Sequence, residues 1–249
     1  MKIIISGALG RMGRAVCRTA EANGIEIAAG VDLNAASSDL SYPVYKDFAG
    51  VKESADVVID FSSPLNLDNL LAYTAKTGVP AVLCATGYTP EQLKRIDAAS
   101  ESSAIFRSAN MSVGVNLLID LCKKAAKTLP SFDVEIVEMH HNQKVDAPSG
   151  TALMLADAVK EVAPDKFYVY GREGKVGKRN EKEIGIHALR GGNVVGEHEV
   201  IFAGPNETVT LSHSAASREV FADGAVKAAM FMAGRKSGFY TMDDLIKEL

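Results

Sequence analysis

Short apolar runs alternate with amphipathic segments through the first half of the chain. The run at 3–5 stops before Gly7, as a short buried strand of a parallel sheet does. Over 11–23 the apolar side chains recur at steps of three and four, which predicts a helix that ends at Asn23-Gly24. Further strands are predicted at 25–31, 57–61, 80–84 and 104–106, with helices that start at Ser62 and Thr89. This alternation predicts an α/β fold with a doubly wound parallel sheet.

The second half has a different pattern, in which strands follow one another with few helices between them. Helices are predicted at about 112–128, 149–162 and 217–235, and strands at 134–138, 184–189, 194–202 and 208–213. The run Gly191-Gly192-Asn193 predicts a hairpin that joins the two strands on either side of it. Strands so close in sequence predict an antiparallel or mixed sheet, so an α+β arrangement is expected here.

Composition narrows the classes of function. Hydrophobic residues make up 47% of the 249 residues and the net charge is −4, so no broad basic field exists for nucleic acid or an anionic membrane. No apolar run has the length of a secretory signal or a membrane span. The three cysteines, Cys17, Cys84 and Cys122, form no Cys-x-x-Cys pair, which favours free buried thiols in a reducing cytoplasm.

A glycine-rich turn follows the first predicted strand. The run Gly7-Ala8-Leu9-Gly10-Arg11-Met12-Gly13 lets the backbone turn tightly and places helix-start amides where they could face a pyrophosphate. Asp32 ends the second predicted strand 19 residues after Gly13, where a dinucleotide fold binds ribose hydroxyls. The glycine spacing alone also fits a plain strand–helix turn. The strand, helix and acid together favour a Rossmann-type dinucleotide site.

Asp32 also bears on the choice of cofactor. A carboxylate repels the 2′-phosphate of NADPH, and residues 33–38 contain no arginine or lysine to offset that repulsion. The sequence therefore predicts that NADH serves at least as well as NADPH.

The stretch EMHHNQKVDAPSGTA, residues 138–152, carries two of the five histidines of the chain. His140 and His141 are adjacent, so their side chains diverge in a strand and do not fit a shared metal. The run Pro148-Ser149-Gly150-Thr151 precedes an apolar helix, whose first amides and hydroxyl could bind a carboxylate. With Lys144 just upstream, the stretch predicts a site for a small acidic substrate that takes up a proton.

Each of these features also has an ordinary structural explanation. A single histidine is most often a surface residue or a satisfied core residue, and a Ser-Gly-Thr helix start is common. Their convergence beside a dinucleotide fold favours an active site. Two alternatives stay open: another nicotinamide-dependent dehydrogenase on the same fold, which would lack the His-His-x-x-Lys-x-Asp block, and a non-catalytic NAD-sensing regulator, which would have no use for it.

The block at 138–152 closely resembles the signature of the 4-hydroxy-tetrahydrodipicolinate reductase (dihydrodipicolinate reductase) family. Three further segments agree with that family: Gly10-Arg11-Met12-Gly13, Asp60-Phe61-Ser62-x-Pro64 and Ala109-Asn110-Met111-Ser112-Val113-Gly114-Val115-Asn116. The resemblance extends over essentially the whole chain, with these segments in the expected order.

The resemblance implies an oxidoreductase of lysine and diaminopimelate biosynthesis that takes hydride from NADH or NADPH. It implies that His140 is the general acid/base and that Lys144 is a proton donor. Substrate contacts are implied for His141, Ser149, Gly150 and Thr151. Cofactor contacts are implied for Gly7, Ala8, Leu9, Gly10, Arg11, Met12, Asp32, Cys84, Ala85, Thr86, Ser108, Ala109, Asn110 and Met111.

The resemblance further implies a domain order and an assembly. Residues 1–111 with 217–249 would form the dinucleotide-binding domain, and 112–216 an inserted α+β domain for substrate binding and tetramerisation. A cytoplasmic homotetramer is expected. One turn departs from the family pattern, because Cys84-Ala85-Thr86-Gly87 stands where members often have Gly-Thr-Thr-Gly. A backbone contact would survive this change, whereas a hydroxyl contact at Ala85 would not.

Overall fold

The computed structural model describes all 249 residues, which form two compact units. The N-terminal unit comprises 1–113 and 219–249, and the inserted unit comprises 114–218. The strands are β1 Lys2–Ser6, β2 Glu26–Val31, β3 Val44–Tyr45, β4 Val57–Asp60, β5 Ala81–Leu83, β6 Ala104–Arg107, β7 Asp133–His140, β8 Phe167–Tyr170, β9 Glu183–Arg190, β10 Gly196–Ala203, β11 Thr208–Ala215 and β12 Gly238–Tyr240. The helices are α1 Arg11–Ala22, α2 Leu67–Thr77, α3 Pro90–Ser100, α4 Val113–Thr128, α5 Gly150–Val162, α6 Glu219–Met232 and α7 Met242–Glu248.

The N-terminal unit is built on a seven-stranded sheet in the order β12-β6-β5-β4-β1-β2-β3. Every neighbouring pair is parallel, which confirms the predicted doubly wound fold. The two edge strands, β3 and β12, were not predicted, because runs of two and three residues carry no readable periodicity. Helix α7 was missed for a similar reason, since seven residues hold only two turns.

Alternate residues of the central strands pack into two separate hydrophobic cores, one on each face of the sheet. Ile3 and Ile5 of β1 pack on one face of the sheet with apolar residues of α1 and α6. Ile4 points to the other face, where it packs with α2 and α3. All three isoleucines are fully buried, which explains why the strand reads as a continuous apolar run.

The inserted unit is built on a five-stranded mixed sheet in the order β11-β10-β7-β9-β8. The predicted hairpin between the strands at 184–189 and 194–202 is wrong, because β7 lies between β9 and β10 and pairs with both. The connecting loop bonds instead to the end of β7: the His141 amide donates to Val194 O, and the Gly191 amide donates to His140 O. The actual hairpin joins β10 to β11.

The two faces of this sheet differ in chemistry. On one face, helices α4 and α5 cover an apolar core that includes Ile136 and Val200. On the other face, Glu135 receives hydrogen bonds from Arg172 and Arg179 and lies 2.8 Å from Nε2 of His187. Although burial alone would raise the pKa of Glu135, these partners hold it at about 2.

All three cysteines are buried and free, as the sequence predicts. None of the helices is both long enough and apolar enough to span a membrane.

Candidate active site

The glycine turn of the N-terminal unit is required by close backbone packing. Gly7 has a φ of +79°, and a Cβ there would lie 2.8 Å from the carbonyl oxygen of Phe61. A Cβ on Gly13 would lie 2.2 Å from the carbonyl oxygen of Gly7, so only glycine lets α1 begin this close to the turn. Gly10 caps α1 without a side-chain hydrogen bond. The turn therefore presents backbone rather than side chains at the helix start.

Asp32 lies next to this turn, where β2 ends. Its carboxylate accepts hydrogen bonds from the amides of Leu9 and Asn34, both at 3.0 Å. The first of these bonds ties the acid to the glycine turn, so the two sequence features meet in one place. This is the arrangement in which an acid can bind ribose hydroxyls beside a pyrophosphate.

Two adjoining cavities lie at the carboxyl ends of the parallel strands, and Phe61 and Ser62 line both. One cavity, of about 470 Å³, is lined by the predicted residues Gly7, Gly10 and Asp32. The other, of about 340 Å³, is lined by the predicted residues Met12, Cys84, Ala85, Thr86, Ala109, Asn110 and Met111. The carboxyl-end edge of a doubly wound sheet is where such folds bind dinucleotides. Ala8, Leu9, Arg11 and Ser108 line neither cavity.

The larger cavity also contains residues that the sequence did not single out. Lys46, directly after β3, lines it together with Asp32. The exposed side chains of Leu33 and Leu65 line it too and give it apolar surface. Lys46 was missed because the strand before it, β3, has only two residues and was not predicted.

In the inserted unit, strand alternation places Glu138 and His140 on the same buried face of β7. Glu138 is fully buried and accepts two hydrogen bonds from Arg190, both at 2.8 Å. One of its oxygens also lies 2.6 Å from Nδ1 of His140. The other accepts the amide of Ser149 at 2.9 Å. A single buried carboxylate thus connects the histidine, the arginine and the start of α5.

These contacts determine the charge of Glu138 and the proton positions on His140. Burial would raise the pKa of Glu138, but the bonds from Arg190, His140 and the Ser149 amide lower it below its usual value. Because the carboxylate is ionised, Nδ1 of His140 is the nitrogen that donates to it. The other ring nitrogen, Nε2, is left as the position that can exchange a proton with a substrate.

The start of α5 is where the sequence predicts an anion site. Ser149 caps the helix, because its hydroxyl accepts the Ala152 amide at 3.2 Å. The next residue, Gly150, is exposed, and a Cβ there would meet nothing within 4 Å. Thr151 follows in the first turn. Open space at the positive end of a helix suits a carboxylate.

Lys144 and His141 lie on the loop between β7 and α5. The Lys144 ammonium is 2.8 Å from Asp146, and its side chain is 21% exposed. His141 lies with Nε2 3.4 Å from a guanidinium nitrogen of Arg218. His140 and His141 therefore have different partners, as their adjacency in sequence suggests.

One histidine near this site was not predicted. His198 on β10 is buried, and its Nε2 lies 3.0 Å from the Ser149 hydroxyl. Its ring meets the His140 ring edge-on, with 5.2 Å between centroids. The signal was present in the sequence, because His198 alternates with Val200 and Phe202 and so shares their buried face. For Arg190, at the end of β9, no sequence pattern indicated a place near this site.

A close contact at Gly196 leads to a prediction. A Cβ at this position would lie 3.1 Å from Nε2 of His140, so we expect Gly196→Ala to displace the ring and to lower kcat about tenfold. Gly191→Ala is the matched control, because its Cβ would meet only the flexible end of Met139, at 3.2 Å. Steady-state kinetics of both variants test this. Equal activity of the two would contradict the placement of His140.

Comparisons with known proteins agree with these features. Residues 1–111 match the family model described as dihydrodipicolinate reductase, N-terminus, and 114–246 match the corresponding C-terminus model. A 4-hydroxy-tetrahydrodipicolinate reductase from Caldanaerobacter subterraneus subsp. tengcongensis is 56% identical over 100% of this chain and 99% of its own. One from Clostridium novyi is 49% identical over 99% of this chain and 98% of its own.

A solved structure is also similar. The dipicolinate-bound dihydrodipicolinate reductase from Paenisporosarcina sp. TG-14 superposes with a TM-score of 0.82 at 26% identity, covering 97% of each chain. The two family models together span nearly the whole chain, and the similarity to the curated relatives is high over its full length. The chain therefore belongs to the dihydrodipicolinate reductase family.

Proposed function

We propose that this chain reduces 4-hydroxy-tetrahydrodipicolinate, with loss of water, to tetrahydrodipicolinate in lysine and diaminopimelate biosynthesis. The relatives that cover the full chain carry the name of this activity. The observation that carries the proposal is Glu138, whose buried carboxylate bonds to both the His140 ring and the Ser149 amide. Glu138 thereby fixes the position of a proton-transfer group relative to an anion-binding helix start.

His140 supplies or recovers the proton of the reaction. A bound reduced nicotinamide supplies the hydride. Hydride addition to a conjugated C=C–C=N system leaves negative charge, which a proton must neutralise. Histidine exchanges protons near neutral pH, and its Nδ1 is already bonded to Glu138, so the proton passes through Nε2.

Lys144 provides a second positive group for a dianionic substrate. Its partner Asp146 is 59% exposed on its side-chain surface, so the pair is open to solvent and can exchange Asp146 for a substrate carboxylate at little cost. A charged lysine beside a dianion both attracts it and can donate a proton. His141, Ser149, Gly150 and Thr151 are proposed to complete the substrate contacts.

The carboxylate site can be tested with dipicolinate, the planar dicarboxylate bound in the Paenisporosarcina enzyme. We expect dipicolinate to compete with the substrate of this chain. Gly150→Ala should raise its inhibition constant about tenfold, because the new methyl group enters the open space at the start of α5. Gly191→Ala, in the same unit, is the control, because Gly191 likewise has no positive φ and its Cβ would meet only the flexible end of Met139. Inhibition constants that are unchanged in Gly150→Ala would contradict a carboxylate site there.

The glycine turn and the two cavities of the N-terminal unit are proposed to hold the cofactor. The amides of Arg11 and Met12, in the first turn of α1, would face the pyrophosphate. The amides of Gly7 and Gly10 already donate to Val31 O and Gly7 O, so these two glycines would contribute the close backbone surface of the cavity instead. Asp32 would bind the adenosine ribose. The nicotinamide end would be lined by Cys84, Ala85, Thr86, Ala109, Asn110 and Met111, and Ala85 offers only its backbone there.

NADH is proposed to serve at least as well as NADPH, because the Asp32 carboxylate bonds ribose hydroxyls but repels a 2′-phosphate. Lys46 in the same cavity can offset part of that repulsion. We therefore expect Lys46→Ala to raise the KM for NADPH severalfold and to leave the KM for NADH nearly unchanged. Lys52→Ala is the control, because Lys52 is an exposed lysine that lines neither cavity. A strong NADPH preference of the unchanged protein would contradict the role of Asp32.

A cytoplasmic homotetramer is proposed as the working assembly. The face of the five-stranded sheet away from α4 and α5 carries Leu189, which is 49% exposed, beside the ion pairs of Glu135. A second subunit could cover this face. Light scattering of the purified protein measures the subunit number. The three free, buried cysteines suit a reducing compartment.

A further inference from the structure

His198 is buried in the inserted unit and takes no part in the chemistry proposed above. It occupies β10, directly opposite Glu138 of β7 and His213 of β11. Only 4% of its surface is exposed. Burying an imidazole is unfavourable unless its nitrogens find partners, so the contacts of this ring indicate what it does there.

The principal contact of His198 is with the residue that caps α5. Its Nε2 lies 3.0 Å from the Ser149 hydroxyl oxygen. That oxygen already accepts the Ala152 amide at 3.2 Å, so the rotation of the hydroxyl is limited to directions that serve both neighbours. His198 therefore fixes the side chain that starts the proposed carboxylate-binding helix.

The second contact is with the proposed proton-transfer histidine. The rings of His140 and His198 meet at 77°, with centroids 5.2 Å apart. His198 thus forms one wall of the space that holds the His140 ring, and the bond from Nδ1 to Glu138 fixes the ring from another side. Nδ1 of His198 is buried without a hydrogen-bond partner, which leaves Ser149 as the polar contact of this ring.

His198 carries no charge at neutral pH. The titratable or charged groups that act on it are His140, Glu138, His213 and Lys144. Burial first, and the neighbouring His140 second, lower the pKa of His198 to about 4. A neutral ring at this position does not oppose the protonated form of His140.

We propose that His198 is a positioning residue, which holds the Ser149 hydroxyl through Nε2 and the His140 ring through edge-on packing. The start of α5 and the proton-transfer nitrogen then keep one mutual geometry while substrate binds. This inference rests on the proposed function, since it assigns the substrate carboxylate to α5 and the proton to His140.

Two variants of His198 separate the hydrogen bond from the volume of the ring. His198→Phe keeps the ring but removes Nε2, and we expect the KM for the dicarboxylate substrate to rise about tenfold, the effect of one lost hydrogen bond. His198→Gln places an amide near the position of Nε2 and should stay within about threefold of the unchanged protein. His213→Phe is the control, because its Nδ1 is likewise buried without a partner. NADH affinity should not change in any of them.

A double-mutant cycle tests whether His198 acts through Ser149. Ser149→Ala should raise the substrate KM to a similar extent, and adding His198→Phe should have little further effect. Independent, multiplying effects of the two substitutions would overturn the proposal, as would equal kinetics of His198→Phe and His213→Phe. Circular dichroism checks that each variant folds. If His198→Phe does not fold, an unchanged KM in Ser149→Ala overturns the proposal on its own.

Histidine NMR of the unchanged protein gives a readout that is independent of turnover. His198 should stay neutral until the pH approaches about 4, and its Nε2 signal should move in Ser149→Ala. Titration of His198 near 6.5 would overturn the placement of a buried, neutral ring beside His140. An Nε2 signal that does not move when Ser149 is replaced would overturn the contact with Ser149. If the unchanged protein shows no substrate-dependent cofactor oxidation, the proposed function fails, whereas this NMR test still decides the contact between His198 and Ser149.

Discussion

His140→Ala and Lys144→Ala should each lower kcat by about 10²–10⁴-fold, the range typical of a lost general acid or base. The affinity for NADH should stay near that of the unchanged protein, because the residues proposed to hold the cofactor belong to the N-terminal unit. Stopped-flow or steady-state absorbance kinetics measure the first effect, and fluorescence titration with NADH measures the second.

Matched controls exist for both substitutions within the inserted unit. His187 is also a histidine bonded to a glutamate, but it lies on the other face of the sheet with Glu135. Lys182 is also a lysine in an exposed ion pair, with Asp165. His187→Ala and Lys182→Ala should therefore retain kcat within a few-fold. Near-normal turnover of His140→Ala and Lys144→Ala would refute their assignment as proton-transfer groups.

Glu138→Gln should lower kcat by about 10²–10⁴-fold, although residue 138 is not expected to touch substrate. The neutral amide no longer favours an Nδ1 proton on His140, and it places donors against Arg190. Removing the charge also leaves Arg190 without its buried partner, which should lower the free energy of unfolding by about 3 kcal/mol. Urea unfolding measures the second effect.

Glu135→Gln separates the two consequences. Glu135 lies on the same strand, with two arginines and a histidine around it, but on the opposite face. Its replacement should lower stability while kcat remains near normal. If Glu138→Gln and Glu135→Gln showed the same kcat, the bond between Glu138 and His140 would not contribute to catalysis.

The predicted fold was accurate for elements whose burial pattern can be read from consecutive residues. The central strands of the N-terminal unit have alternate residues buried on two faces, so each reads as a continuous apolar run. Strand order in the inserted unit could not be read in the same way. The Gly191-Gly192 turn has hairpin composition, yet its backbone bonds to the end of β7, a partner about fifty residues earlier in the chain.

In the candidate site, too, the local features could be predicted from the sequence and the contacts between strands could not. His140, Lys144 and Ser149 share one short stretch of sequence, so their chemistry could be inferred before the fold was known. Arg190 and His198 reach this stretch from β9 and β10, and only the sheet order of the inserted unit brings them there. Lys46 lines the cavity of Asp32 because β3 pairs with β2. Alternation along β10 predicts that His198 is buried, but which residues these three side chains contact depends on non-local strand pairing, which sequence spacing does not encode.

The most direct test of the account is cofactor oxidation followed by absorbance at the NADH band. The protein is mixed with NADH or NADPH, and 4-hydroxy-tetrahydrodipicolinate generated by its synthase is either supplied or withheld. We predict oxidation only when the substrate is present, at a rate with NADH at least equal to that with NADPH. Absence of oxidation with either cofactor in the presence of the substrate would contradict the proposed reductase activity.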